Sequence, residues 1–313
     1  MTTRERTYIV PEPTLLVCNK HDDTMSFVDA KTLEVTKTIS VGPNPHEIII
    51  TPDRRFAYLS NYRPPGDTIS VVDLVKRKHI GQISTGDYTQ IHGAAMASDG
   101  TAYFTAGQTG YVVEVDTAVN DVTRSIPTHG KISHMVYLSP DETRIYTANI
   151  DTRNISVIDR ATAQLVKRIP AGRGVEGMSF TPDGEHLWAL NQVAGTVTII
   201  ELEKFTPVET FDCPSMPVRI VFNRRGRRAF IACWSEQGEL VSIDVETRTE
   251  TGRVRVGSQA IGLVLSPNEK QVLVGCEHSD GIHVINAKTL KVEHVIHTGD
   301  GSDAMAFWTP PGK

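Results

Sequence analysis

Cysteine is scarce in this chain and never clustered. The four cysteines, Cys18, Cys213, Cys233 and Cys276, are spread over 313 residues. Three of them close equivalent apolar segments, just before Asn19, Trp234 and Glu277, so each belongs to a different stretch of sequence. That spacing excludes a disulfide scaffold or a cysteine metal cluster and suits small, buried, reduced thiols. Long apolar runs are missing too: nothing approaches the roughly 18 residues a membrane-spanning helix needs. The N-terminal stretch, residues 1 to 13, is polar and charged and has no apolar signal-peptide core. The expectation is a cytoplasmic protein that does not associate with membranes. Positive charge is not in excess, since the net charge is −5. No basic surface is therefore offered to nucleic acid. Nucleophile-elbow, phosphate-loop and dinucleotide-binding signatures are also lacking.

What the chain has instead is a repeat. A short apolar strand running into a turn appears as His46-Glu47-Ile48-Ile49-Ile50-Thr51-Pro52-Asp53. It returns from His134 to Asp141 and from Glu176 to Asp183. Fainter copies begin at His92, Val218 and Ile261, so the period is 42 to 46 residues. A second strand follows each turn (Phe56 to Asn61, Arg144 to Asn149, Leu187 to Asn191 and their equivalents). A third ends in an acid or its amide: Asp29, Asp73, Asp116, Asp159, Glu201, Asp244 and Asn286. Those acids belong to turns, where they cap backbone amides. A fourth strand is polar and β-branched and often leads into glycine.

Four short strands per unit at this period mark a β-propeller blade. The count predicts one all-β domain over residues 1–313, a seven-bladed propeller of four antiparallel strands per blade. The first blade lacks an inner strand at the N-terminus, and Asp303 to Trp308 supplies it from the other end of the chain. Such closure removes the open edges of a linear array.

Tyr146-Thr147-Ala148-Asn149, Tyr58-Leu59-Ser60-Asn61 and Trp188-Ala189-Leu190-Asn191, each followed by a strand like Ile155-Ser156-Val157-Ile158-Asp159, resemble the repeats of the YVTN-type seven-bladed propeller family. The resemblance covers nearly the whole chain and speaks to architecture; the fold hosts enzymes, electron-transfer subunits and binding scaffolds alike. It implies that the first strand of each blade lines the central channel. The first residue of that strand then sits near the axis, on the face that also carries the loops between second and third strands.

By blade, that position reads His46, His92, His134, Glu176, Val218, Ile261 and Asp303. Three imidazoles and a carboxylate thus face one axis from successive blades, with Asp303 as an additional axial residue. Imidazole and carboxylate side chains converging from separate strands suit one divalent metal ion: zinc, iron, manganese, nickel or copper. Val218 and Ile261, with Tyr88 and Trp234, are expected to wall the pocket. His21 and His278, in second-to-third-strand loops, are candidates for proton transfer above the metal. Arg173 is a candidate anchor for a substrate carboxylate or phosphate. The alternative for the two histidines is a solvent-exposed loop side chain, and for Arg173 a surface salt bridge.

The preferred functional expectation is a metal-dependent lyase, hydrolase or isomerase acting on a small organic substrate. Redox-active iron for oxygen chemistry would fit the same ligands, by analogy with the four-histidine propellers of carotenoid-cleaving oxygenases. A different class also fits: a non-catalytic propeller that presents its loop face to a protein or ligand.

Overall fold

The computed structural model describes residues 13–311 except 214 and 280; the polar N-terminal stretch lies outside the described residues. Among the described residues, seven four-stranded antiparallel sheets account for all the strands, and no helix is long and apolar enough to cross a membrane. The strand compositions dictate their depth. Second and third strands such as Phe56–Asn61 and Asn154–Asp159 are buried along nearly their whole length, because each blade is covered on both faces by its neighbours. The polar, β-branched fourth strands such as Val35–Ser40 form the exposed rim.

Packing lies between blades rather than within them. Seven buried clusters occupy the seven gaps, each drawing residues from two adjacent sheets. One position of the second strand drives much of this. It holds Tyr58, Tyr103, Tyr146, Trp188 and Phe230, all nearly inaccessible. Burying an aromatic ring of this size contributes roughly 2–3 kcal/mol. The asparagine that closes several second strands has an equally physical role. Asn149 Nδ2 donates to Asn154 Oδ1 and Ser156 Oγ at 2.9 Å each, and its Oδ1 accepts from Ser133 Oγ at 2.8 Å, tying the first three strands together. Gly130 is glycine because a Cβ there would lie 2.2 Å from Asn149 Cγ.

The ring closes as expected. Ser302–Trp308 pairs with Thr14–Asn19, Trp308 opposite Thr14 and Ser302 opposite Asn19. All four cysteines are buried, and none is joined to another in a disulfide.

Two local devices aim one residue of each inner strand at the axis. Two residues before the axial position, the backbone takes a positive φ in every blade: Asn44, Gln90, Ile132, Gly174, Met216, Gln259 and Gly301. The carbonyl of that residue accepts a backbone N–H from the residue that follows the second strand, as in Tyr62 to Asn44 and Glu277 to Gln259, both 3.0 Å. This joint ends several second strands one residue sooner than the sequence suggests: Thr101–Ala106 rather than 102–107, Arg228–Cys233 and Gln271–Cys276. Gly107, Trp234 and Glu277 bond to the joint instead. Past the joint, the pairing of first and second strands is irregular in all seven blades, as at Ser133/Val136. Bulges of this kind re-aim side chains.

Candidate metal centre at one mouth of the channel

The inner strands are Pro45–Ile50, Ile91–Met96, Ser133–Leu138, Val175–Phe180, Pro217–Phe222, Ala260–Leu265 and Ser302–Trp308. Their second residues form the axial column, and the pairing of Ser302 with Asn19 fixes Asp303 in it. Going round the ring from blade one, the column runs Asp303, His46, His92, His134 and Glu176, followed by Val218 and Ile261. Five consecutive polar groups therefore face two apolar ones.

The imidazoles touch. Ring centroids of His92 and His134 are 3.7 Å apart, and those of His46 and His92 are 4.4 Å apart. Tyr62 stacks on His46 at 4.9 Å. A carboxylate flanks each end of the row: Asp303 Oδ2 lies 3.6 Å from His46 Nε2, and Glu176 Oε1 lies 4.0 Å from His134 Nδ1. Hydrogen bonding here is sparse. His92 is 1% exposed, yet neither of its ring nitrogens has a hydrogen-bond partner, and His134 Nδ1 and both Asp303 oxygens make no hydrogen bond beyond longer ion-pair contacts. Most buried polar atoms are paired, so this concentration at one spot is unusual. Among the described residues, no three His, Cys, Asp or Glu side chains are already arranged around one point as a metal-holding group.

Burial, then the nearby cations Lys20 and Arg219 together with the other imidazoles, holds the three histidines well below the ordinary imidazole range, so they are neutral. Neutral imidazole is the form that binds a cation. Burial pushes the Glu176 carboxyl up to about 7, opposed by Arg219.

Beneath the column the next residues alternate in size: Glu47, Gly93, Met135, Gly177, Arg219, Gly262 and Ala304. The small ones let inner strands approach closely; a Cβ on Gly177 would lie 2.0 Å from the Val218 carbonyl oxygen. The large ones meet in the middle. Arg219 pairs with Glu47 across the channel and also donates to Met135 Sδ at 3.4 Å. The pair is nearly buried, at 11% and 14% side-chain exposure, and floors the site.

One wall holds residues the column pattern did not reveal. Lys20, 4% exposed, bonds Glu277 at 2.9 Å and lies 3.5 Å from Asp303. Burial opposes its charge, but Asp303 and Glu277 outweigh that and hold the ammonium above its ordinary range. Glu277 also lies 3.4 Å from His21 Nε2 and accepts from Trp234 Nε1 at 3.4 Å. His21 and His278 stack at 5.8 Å with nearly parallel planes. Polar groups thus link the outer histidine pair to the column by way of Glu277, Lys20 and Asp303.

The other sequence candidates separate. Val218 and Ile261 take their axial places. Trp234 joins the wall through Glu277. Tyr88 turns away: its hydroxyl bonds Ser125 at 2.6 Å and its ring packs on Tyr111, inside blade three. Its place at the end of a joint loop put it at the mouth, but the apolar gap between blades captured the ring. Arg173 is exposed at the rim and makes no ion pair among the described residues. Arg219, Glu47 and Lys20 carried no sequence signal, because a lone charge in a strand or loop ordinarily points to solvent.

No family profile matches the chain. Its sequence is similar to two uncharacterized proteins: YncE of Salmonella typhimurium, 22% identical over 70% of this chain, and YwhL of Bacillus subtilis, 26% identical over 95%. Each match spans 65% of the relative's length. Solved structures share the fold. A functionally unknown protein from Desulfotomaculum acetoxidans superposes with a TM-score of 0.81 at 17% identity, covering 95% of this chain and 99% of that one. Kuenenia stuttgartiensis hydrazine synthase gives 0.77 at 22%, covering 93% and 100%. The periplasmic gluconolactonase PpgL of Pseudomonas aeruginosa gives 0.78 at 17%, covering 96% and 99%. The chain is a seven-bladed propeller with weak sequence similarity to YncE and YwhL.

Proposed function

We propose that this chain is a metal-dependent enzyme that holds one divalent ion on His46, His92, His134 and Glu176 and acts on a small organic substrate at the channel mouth. The observation that carries this reading is His92: an imidazole with both nitrogens buried and unpartnered, between two further neutral imidazoles. An unpaired buried polar group costs roughly 1–3 kcal/mol, and a cation removes that cost when the rings turn toward it. A divalent ion there supplies Lewis acidity toward a carbonyl or a bound water, which suits lyase, hydrolase or isomerase chemistry.

The chain's own residues shape the rest. Glu47, Arg219 and Met135 close the channel below, so substrate and water enter from one side only. Val218 and Ile261 keep two-sevenths of the wall apolar. His21, exposed and 3.4 Å from Glu277, is placed to exchange protons between solvent and the buried Glu277–Lys20–Asp303 group. The gluconolactonase PpgL shares the fold, and carbonyl hydrolysis is the branch of this reading that such a neighbour favours.

The test is elemental analysis of protein purified without a metal-affinity tag. About one equivalent of a transition metal is expected, lost in His92→Ala and His134→Ala, because a formed ligand set keeps its ion through purification. Less than about a tenth of an equivalent, unchanged by either substitution, overturns the reading and leaves the non-catalytic scaffold in its place.

A further inference from the structure

Among the described residues nine large hydrophobic side chains are exposed, and seven of them lie on outer strands or on turns of the face away from the mouth. The other two, Ile132 and Val193, stand on mouth loops of neighbouring blades four and five, 48% and 55% exposed. Ile132 is also the joint residue of its blade, with φ at 53°. The same joint elsewhere uses asparagine, glutamine, methionine or glycine. A β-branched side chain is the costliest choice at positive φ. Nor does burial offset the cost here, since half the side chain is in water. Neither backbone preference nor core packing accounts for isoleucine at this position. Strain of this kind gathers at ligand clamps.

The adjoining joint is Gly174, two residues before Glu176. A Cβ there would meet Val193 Cγ2 at 2.6 Å, so the glycine lets Val193 close over the joint without a side chain intervening. Met216 is the joint of blade six, two residues before the apolar axial residue Val218. The joints of blades four to six, Ile132, Gly174 with Val193 against it, and Met216, thus lack the amide side chains of Asn44, Gln90 and Gln259 in a mouth whose remaining joint is the glycine of blade one.

Resting on the metal-centre reading, the geometry points to a two-part substrate. A polar, oxygen-bearing head reaches the imidazole column, and an aliphatic or aromatic body lies over the blade four-to-six side of the mouth, toward Ile132, Val193 and Met216. Ile132 is then a specificity residue, retained for what it contacts rather than for the fold.

Linear alkyl hydroxamates separate the two parts, because the head ligates a metal whatever the chain length. Zinc-loaded, full-length protein is titrated calorimetrically with the series from acetohydroxamate to octanohydroxamate. Affinity is expected to rise about two- to fourfold per added methylene, the range for partial to full burial. In Ile132→Asn, which keeps a side chain suited to positive φ, the rise falls below about 1.5-fold per methylene while acetohydroxamate binds within about twofold of the unaltered protein. The thermal midpoint of Ile132→Asn stays level or rises. A flat series in the unaltered protein, or an unchanged slope in Ile132→Asn, overturns this proposal and leaves the metal centre standing. Failure of every hydroxamate to bind overturns both. A midpoint lowered by more than about 3 °C makes Ile132 a packing residue and overturns the specificity role by itself.

Discussion

Each blade presents its ends to opposite faces of the disc, and the two ends treat polar groups in opposite ways. On the face away from the mouth, third strands finish in acids that are satisfied at once by their own turns. Asp29 Oδ1 accepts from the Lys31 and Thr32 amides at 2.8 Å each, and Asp244 Oδ1 accepts from the Thr247 amide at 2.9 Å. Blade seven does the same with an amide, Asn286 accepting from Thr289 at 3.0 Å. At the mouth, the repeat instead delivers His46, His92, His134, Glu176 and Asp303 to a place where no backbone amide answers them. A turn that completes its own hydrogen bonds needs nothing from the other blades. His46 finds one partner in its own blade, Asn44 Oδ1 at 3.3 Å from Nδ1, whereas His92, His134, Glu176 and Asp303 are left to neighbours across the ring or to something bound there.

The sharpest way to break this contrast is at the channel floor, where charged groups do find each other across blades. Glu47→Leu leaves the Arg219 guanidinium buried and unpaired. Loss of one partner of such a pair costs about 3–5 kcal/mol, and chemical denaturation should show it as a lowered midpoint with unchanged slope. Replacing both, Glu47→Leu with Arg219→Met, should recover most of that loss, because an apolar floor of similar volume needs no partner. A single variant as stable as the unaltered protein would mean the pair is open to water.

Substitution in the column should act in the other direction. His92→Leu removes two unpartnered buried nitrogens, so the metal-free protein should gain about 1–2 kcal/mol while losing its ion. Stability measured in the presence of a chelator checks this. A destabilised metal-free variant would show that the imidazoles are part of the packing, and the contrast between the two faces would fail.

The seven-fold repeat, the closure by Asp303 to Trp308 and the axial register were all legible in the sequence. Each rests on a local pattern: strand alternation, a turn every few residues and a fixed spacing between copies. His46, His92 and His134 stood out because they share a repeat position. Lys20 and Glu277 did not: they share the position after the second strand, but the other blades hold Tyr62, Gly107, Ile150, Gln192 and Trp234 there, and the two meet only through ring closure between blades one and seven. The Arg219–Glu47 pair spans 172 residues and four blades, a juxtaposition set by the diameter of the channel rather than by any neighbour in sequence. Tyr88 failed for the opposite reason: its loop position was right, but the side chain followed the apolar gap.

The smallest expected effect lies at the turn acids, and it tests whether that face is as self-contained as its bonding suggests. Accepted backbone hydrogen bonds hold the carboxyls of Asp29 and Asp244 below the ordinary aspartate range. A depressed folded value means the stabilisation is present above the unfolded pKa of about 3.9 and is lost as pH falls through the folded one. In Asp29→Asn with Asp244→Asn, the amide oxygens keep the turn bonds, as Asn286 already does, but nothing titrates. The variant should melt slightly below the unaltered protein at neutral pH, and the two melting temperatures should converge as pH falls through the depressed folded-state values. Asn286→Asp should do the converse and add acid sensitivity to blade seven. A difference that stays constant with pH would mean the acids act through something other than their own turns, and the face would no longer be a sum of independent blades.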